Sequence, residues 1–334
     1  MLNYLIKFWV VLILKKNEIE KYVLLSRELI PIIEQAFISL SKGETTMPPI
    51  MRIDIEKFHG ESDVKAAYIN ELDSFAIKIA SGFFDNPKLG LPSSNGLMVL
   101  LDSQTGVIKA ILLDEGYLTD TRTAIAGAIA SKYLSNQDSN SVGIVGAGIQ
   151  ARLQLQALML VRDIKKVTVW ARDLKKAHEF KDNFKDLNLE FNIANSCKDL
   201  AAVSEIIVTT TPSRKPLLKF EWIKKGTHIT AMGSDAEQKN ELDPAMINLC
   251  DKYIPDNQSQ TSILGELNHA IKQNITSPDK KFHDLGSIII NPSLGRNNKE
   301  AITICDLTGT GVQDTAIARF TYNVCKKNNL GIKI

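Results

Sequence analysis

Three features of the sequence predict an α/β fold in two unequal parts. Short apolar strands alternate with helical segments from 141 to 254, residues 46–115 alternate polar and apolar, and a glycine-rich turn follows a buried strand at 141–151. The 334 residues suit two domains at about 150 residues each. Apolar residues are 44% and charged residues 23%, which excludes a disordered, collagen-like or disulfide-stapled chain. The 40 Lys+Arg and 38 Asp+Glu leave +2, and the charges are interspersed, so the basic stripe of a nucleic-acid binder is missing. Cys197, Cys250, Cys305 and Cys325 stand far apart with no Cys-x-x-Cys. That spacing excludes a zinc ribbon or thioredoxin site and fits a reducing cytoplasm.

Each element follows from its own pattern. Residues 2–14 resemble a membrane or signal segment, but Lys7 interrupts the run and it falls short of the ~20 apolar residues of a spanning helix. Lys15 and Lys16 follow instead of a cleavage site. The expectation is a buried strand at Val10–Leu14, Asn17 capping a helix from Glu18, and a dispensable extension at residues 1–9 with no membrane partner. Ile19, Val23, Leu24, Ile30, Ile33, Ala36 and Phe37 carry helical spacing, and Pro31 divides the segment into two helices. Met51–Ile55 and Phe75–Ile79 alternate as strands with one wet face. Phe84–Gly96 is a long ordered loop, and Leu97–Leu101 with Val107–Leu113 form a hairpin around Ser103–Gly106. Thr121–Leu134 is an alanine-rich helix. Strands at 141–145, 167–170, 205–208, 227–232 and 253–254 build a doubly wound parallel sheet, and 303–322 reads as a strand, a glycine turn and a helix returning to the first part. The expected domains are 1–125, 126–302 and 303–334.

Gly146-x-Gly148-x-x-Ala151 opens a helix directly after the strand at 141–145. The first glycine permits the tight turn, the second lets the backbone approach a pyrophosphate, and the small third residue lets helix and strand pack closely. The helix N-terminus then presents its N–H groups and partial positive charge to the phosphates. This is the fingerprint of a Rossmann dinucleotide site, with Ile149 and Gln150 between the small residues. Cofactor choice is written after the second strand, where Ala171 and Arg172 stand in place of the usual acid. An arginine there accommodates a 2′-phosphate, so NADP(H) is slightly favoured over NAD(H). Asp173 keeps both open, because it could hold the ribose or merely cap the next helix.

Further markers stand in order along the chain: Lys78, Leu118–Ala124, Thr209-Thr210-Thr211-Pro212, Gly233-Ser234-Asp235 and Asp306-Leu307-Thr308-Gly309. With these, the chain resembles the ornithine cyclodeaminase/μ-crystallin family from about Val10 to the C-terminus. Gly233–Glu241 and Asp306–Asp314 place it nearest the ectoine-utilisation and iminosuccinate-reductase branch. The resemblance implies hydride transfer between a nicotinamide and the Cα of an amino or imino acid, without a metal. It implies Arg52, Lys78 and Arg122 as binders of the substrate carboxylate, Lys78 and Asp235 as catalytic groups, and Thr123, Thr210 and Thr211 beside the cofactor. Physical chemistry agrees, since an arginine fork grips a carboxylate bidentately and a lysine beside two arginines loses its proton more easily. Without the resemblance, Arg52 and Arg122 could equally be ion pairs. A Rossmann domain inserted into an α+β substrate and dimerisation domain is the implied architecture, and a homodimer the implied assembly. Glu266 matches a family motif, but a carboxylate at a helix start explains it as well. His59, His178, His228, His269 and His283 lack ligand spacing.

One position departs from the family. Members that cyclise ornithine carry a glutamate thirteen residues before the pocket lysine, to hold the distal amine. An ungapped count from Lys78 reaches Lys65. A cation facing an ammonium group at ~4 Å in a poorly solvated pocket is strongly unfavourable. Lys65 therefore favours a second carboxylate, unless it points to solvent. The expected activity is NAD(P)H-dependent reduction of a small 2-imino acid, iminosuccinate to aspartate preferred. The alternatives are a true cyclodeaminase, an alanine dehydrogenase or ketimine reductase, and a non-catalytic NADPH-binding protein like lens μ-crystallin.

Overall fold

The structure is a computed structural model that describes residues 10–334. The expected extension at residues 1–9 lies outside the described residues. Two compact units form: residues up to 24 with 44–122 and 311–334, and residues 25–43 with 123–310.

The first unit is a largely antiparallel sheet. Its strands are β1 (Leu12–Lys15), β2 (Thr45–Thr46), β3 (Met51–Ile55), β4 (Gly60–Ile69), β5 (Ser74–Phe83), β6 (Ser94–Asp102) and β7 (Ile108–Leu113), with Ile332–Lys333 at one edge. The order is Ile332–Lys333, β1, β7, β6, β5, β4, β2, with β3 also on β4. β4 to β7 form a meander, and β1 joins parallel to β7. Ala67, Ala76, Met98, Leu100, Ala110 and Leu112 are buried on one face. Helix Gly311–Lys327 packs against β4 and β5, and the small side chains of Ala67 and Ala76 let it come close. A Cβ at Gly311 would strike the carbonyl oxygen of Ala66, so only glycine permits this approach. Thr315 fastens the contact: its Oγ1 donates to Ala67 O at 2.6 Å and accepts from Ala76 N at 3.0 Å. The N-terminal expectation shifts slightly. Val10 is exposed, and the first helical turn is Lys16–Ile19, with Lys15 N–H donating to Glu18 rather than Asn17 capping.

The second unit is a parallel sheet of β8 (Ser141–Val145), β9 (Lys166–Trp170), β10 (Glu190–Ile193), β11 (Ile206–Thr209), β12 (His228–Ala231), β13 (Lys252–Pro255) and β14 (Thr303–Asp306). The order β10-β9-β8-β11-β12-β14-β13 is doubly wound, the arrangement of the Rossmann fold. The strands run as short, continuously buried apolar segments, as sheets covered by helices on both faces require. β10 was not anticipated, because Glu190-Phe191-Asn192-Ile193 alternates at an edge.

The units differ from the expected domains at both borders. β14 hydrogen-bonds between β12 and β13, so the chain stays in this unit until Thr310 instead of leaving at 303. The other border falls within helix Tyr117–Leu134, after Arg122 rather than after 125. Helix Leu29–Ser41 also belongs to the second unit, because Ile30, Ile33 and Phe37 are buried and Gly286 lies directly on the Phe37 carbonyl. Pro31 sits in that helix's first turn, where its missing N–H costs nothing. The C-terminal carbonyls of Tyr117–Leu134 are collected by two arginines: Arg162 Nη2 donates to Ser131 O and Lys132 O, and Arg296 Nε to Leu134 O. Among the described residues no helix is long and apolar enough to cross a membrane.

Candidate active site

Each unit assembles its own set of the predicted residues. In the first, Lys65 and Lys78 are direct cross-strand partners on β4 and β5, so their side chains share a face. Both are buried, Lys65 at 7% and Lys78 at 2% exposure, which rules out a solvent-facing Lys65. Arg122, on helix Tyr117–Leu134, is equally enclosed at 4%. Between them stands Asp314, from helix Gly311–Lys327. Its Oδ2 lies 2.9 Å from Lys78 Nζ and its Oδ1 accepts from Arg122 Nε at 2.9 Å. Gln313 Oε1 accepts from Arg122 Nη1 at 3.4 Å.

Burial, together with the charges of Arg122 and Lys65, lowers Lys78 to about 7 against the opposing pull of Asp314. Burial alone would raise the Asp314 carboxyl, but Arg122, Lys78 and Lys65 outweigh it and hold it below its ordinary value. Asp114, which accepts from Leu118 N–H at the start of Tyr117–Leu134, is pushed up to about 6 by burial. Arg52 lies on β3 opposite Asp63, two residues along from Lys65. Its guanidinium makes ion pairs with Asp54, Glu61 and Asp63. The structure thus gathers Lys65, Lys78 and Arg122 around one carboxylate and gives Arg52 carboxylates of its own.

In the second unit the loops after β8, β11, β12 and β14 lie at the carboxyl ends of the strands, where open α/β sheets bind their ligands. Gly146 has φ +116°, and a Cβ there would meet Thr210 Oγ1 at 2.6 Å. Gly148 is the N-cap of helix Ile149–Leu158 and supplies no side-chain cap. A Cβ at Gly148 would meet nothing within 4 Å, so open space lies before the helix N-terminus. Ala151 is wholly buried against the strand, and Ile149 and Gln150 begin the helix. This cradle fits a dinucleotide pyrophosphate. Thr210 N donates to Val145 O at 2.9 Å, and Gln154 ties down the Thr123 carbonyl. Arg172 is exposed beyond β9, while Asp173 caps the next helix by accepting from Lys175 N. Asp235 is half-exposed and paired with the buried Lys239 at 2.6 Å.

Buried carboxylates brace these loops. Glu241 accepts from Thr209 Oγ1, from Thr211 N and Oγ1, and from Gly233 N. Glu266 stands in the first turn of helix Gly265–Lys272 and also braces a loop, accepting from Ser234, Asn240, Glu241 N and Leu242 N. Asp256 accepts from Thr308 and Gly309. Asp314, Gln313, Lys239 and Glu241 were not singled out in the sequence, although all four fall inside the two motifs quoted for their resemblance. Their signal was polarity at positions that bury, which one sequence does not display. Among the described residues no group of three His, Cys, Asp or Glu could hold a metal ion.

A Rossmann sheet with a phosphate cradle, in a chain whose other unit buries a cluster of cations around one carboxylate, defines a dinucleotide-binding α/β protein. The chain belongs to the ornithine cyclodeaminase/mu-crystallin family, whose model matches residues 10–329. It is 51% identical over 96% of its length, and 97% of the other's, to an uncharacterized cyclodeaminase of Sinorhizobium fredii. Its fold superposes on an archaeal alanine dehydrogenase dimer with bound NAD, TM-score 0.90, at 33% identity over 97% of this chain and 99% of that one. It also matches the iminosuccinate reductase of Paracoccus denitrificans in complex with NAD+, TM-score 0.88, at 29% identity over 97% and 99%.

Each Glu241 oxygen accepts from one backbone N–H, Thr211 or Gly233, so whichever oxygen Glu241→Gln replaces by NH2 leaves one backbone N–H without its acceptor. The expected cost is about 2–4 kcal/mol of stability. Displacement of Thr210 and Thr211 should also weaken NADH binding by about tenfold, which fluorescence titration alongside a thermal melt reads. Unchanged NADH affinity in the folded variant would remove Glu241 from the cofactor edge.

Proposed function

We propose that the protein reduces a small 2-imino acid to an L-amino acid with NAD(P)H, and that iminosuccinate, giving aspartate, is its preferred substrate. The single observation that carries this reading is the burial of Lys65 beside Lys78 on one sheet face. A buried cation there suits a substrate with a second carboxylate and opposes one ending in an ammonium. Arg122 and Lys78 are assigned to the α-carboxylate, with Arg52 a further binder that must exchange its own carboxylates to do so. Bound nicotinamide supplies the hydride. As hydride reaches Cα, the C=N electron pair passes to nitrogen, which takes a proton. Lys78, at about 7, and Asp235 are the groups assigned to that proton. Gly146, Gly148 and Ala151, with Ile149 and Gln150, are assigned to the pyrophosphate, and Thr123, Thr210 and Thr211 to the rest of the cofactor. A cytoplasmic location belongs to the same reading.

The similarity to an uncharacterized cyclodeaminase favours a second reading, oxidation and ring closure of a diamino acid with release of ammonia. Lys65 argues against it. Stoichiometric loss of NAD(P)H absorbance separates the two, because a cyclodeaminase consumes none.

The first test is reductive amination of oxaloacetate against pyruvate at high ammonia. An ion pair to Lys65 worth ~1.5–3 kcal/mol favours oxaloacetate about ten- to hundredfold in kcat/KM. Lys65→Ala should abolish that preference and leave pyruvate nearly untouched. Equal losses on both substrates would make Lys65 structural, and a parent that prefers pyruvate would replace the dicarboxylate by an alanine-forming reaction.

Asp173 already caps a helix, so Arg172 is assigned to the adenosine 2′-phosphate and NADPH to the preferred cofactor. Arg172→Ala should then weaken NADPH more than NADH; equal losses would leave Asp173 as the ribose ligand. A homodimer through the outer face of the first sheet completes the proposal. Exposed Ile79 and Leu113 and half-buried Leu97 line a cleft of about 830 Å³ there. Light scattering is expected to give twice the chain mass at micromolar concentration, and a monomer would refute it.

A further inference from the structure

Asp314 is fully buried and meets two cations that arrive from different elements, Lys78 from β5 and Arg122 from helix Tyr117–Leu134. Its own place is fixed independently of both. Gly311 seats the start of its helix against Ala66, and the adjacent Thr315 is hydrogen-bonded to Ala67 and Ala76. The carboxylate therefore projects from a backbone that β4 and β5 hold in register. Each of its oxygens serves one cation, and the Arg122 contact is made through Nε.

We propose that Asp314 is the positioning residue of the anion pocket: it holds Lys78 Nζ and the Nε edge of the Arg122 guanidinium in one geometry and retains the ammonium on Lys78. This rests on the reading of Lys78 and Arg122 as substrate binders.

Charge arithmetic shows what the carboxylate does there. The groups facing Lys78 are Asp314 from its helix, Arg122 from Tyr117–Leu134, Lys65 from β4 and Asp114 from the turn before that helix. Arg122 and Lys65 both repel an ammonium, and burial penalises it further, so Asp314 is the main group that sustains it. With Asp314 ionised, Lys78 gives up its proton at about pH 7. The ammonium is thus present below that pH and lost above it. Without the negative charge, loss must begin at lower pH. A side chain that served only packing would leave this transition where it is.

The test follows Lys78 itself, by the ε-methylene shift of 13C-lysine-labelled protein, with the signal assigned by its disappearance in Lys78→Arg. In Asp314→Asn the Lys78 midpoint is expected to fall by at least about one pH unit, a tenfold change in proton affinity. Asp314→Glu, which restores the charge, should return it to within about half a unit of the parent. NADH binding and a thermal melt establish that each variant is folded. Asp314→Asn with the parent midpoint overturns the proposal. Should Asp314→Asn fail to fold, a Glu variant whose midpoint moves by more than about one unit overturns it equally. Steady-state kinetics with oxaloacetate and ammonia supply a second reading. At pH 8, Asp314→Asn should lower kcat/KM at least about tenfold. A parent that reduces no imino acid would defeat the proposed function, and the titration alone would then decide the role of Asp314.

Discussion

A carboxylate taken out of water must find its hydrogen bonds or its counter-charge within the protein, and much of this fold is arranged around that demand. Glu241, Glu266, Asp256, Asp306 and Asp314 are all essentially inaccessible. In the second unit these side chains stand at the carboxyl ends of the parallel strands and collect the N–H groups of the loops that leave them. Asp306 accepts from Tyr253 OH and from Glu266 N and Leu267 N, which links β13, β14 and the helix Gly265–Lys272. Glu266 in turn binds the loop after β12, and Glu241 the loop after β11. Loops at a ligand edge are short of apolar contacts, so they need another source of rigidity. Here it comes from charge-accepting oxygens, each holding several donors, and such bonds are stronger than neutral ones.

The arrangement is costly as well as rigid. Burial pushes Glu241 up to about 7, with Glu266 adding to the rise, and burial raises Asp306 well above the usual carboxylate range. A buried, crowded set of carboxyls cannot all stay ionised at once, so protons must be shared within it. The opposite end of the same unit inverts the chemistry. Arg162 and Arg296 carry fixed charges and satisfy backbone carbonyls at the C-terminus of Tyr117–Leu134, where the helix dipole favours a cation. Acids hold donors at the strand ends and bases hold acceptors at the helix end. The second turn of that helix carries Arg122.

The patterns with a fixed period were the legible part. The buried strands of the second unit, the glycine turn at 146–151 and the alternating strands of the first all express local geometry that any sequence window contains. Lys65 was reached only by counting thirteen residues back from Lys78 along a family spacing, and the structure pairs the two across β4 and β5. What escaped was long-range. Thr303–Asp306 belongs to the second sheet because β12 and β13 leave a gap between them, and nothing local announces that gap. Helix Leu29–Ser41 joins the second unit through a contact with Gly286, some 250 residues away (Ser41 to Ser287 spans 246). Asp314 was visible only as one polar residue among others in a motif, because its partners come from β5 and from Arg122, 192 positions earlier.

The inner face of the first sheet then acquires a polarity that no single residue shows. At the β3 end, Arg52 is surrounded by Asp54, Glu61 and Asp63, so a positive side chain sits in an acidic setting. Around β5 the balance reverses, and Lys65, Lys78 and Arg122 converge on Asp314. Strand register produces this division, because residues two apart on β4 share a face and Asp63 and Lys65 therefore stand side by side with opposite charge. In the proposed reading, this division repels an anionic substrate at one end and attracts it at the other. Reversing the charge at position 65 would move the border between the two zones toward Lys78. In the proposed reading, the sign of one cross-strand neighbour separates a pocket for two carboxylates from one for a carboxylate and an amine.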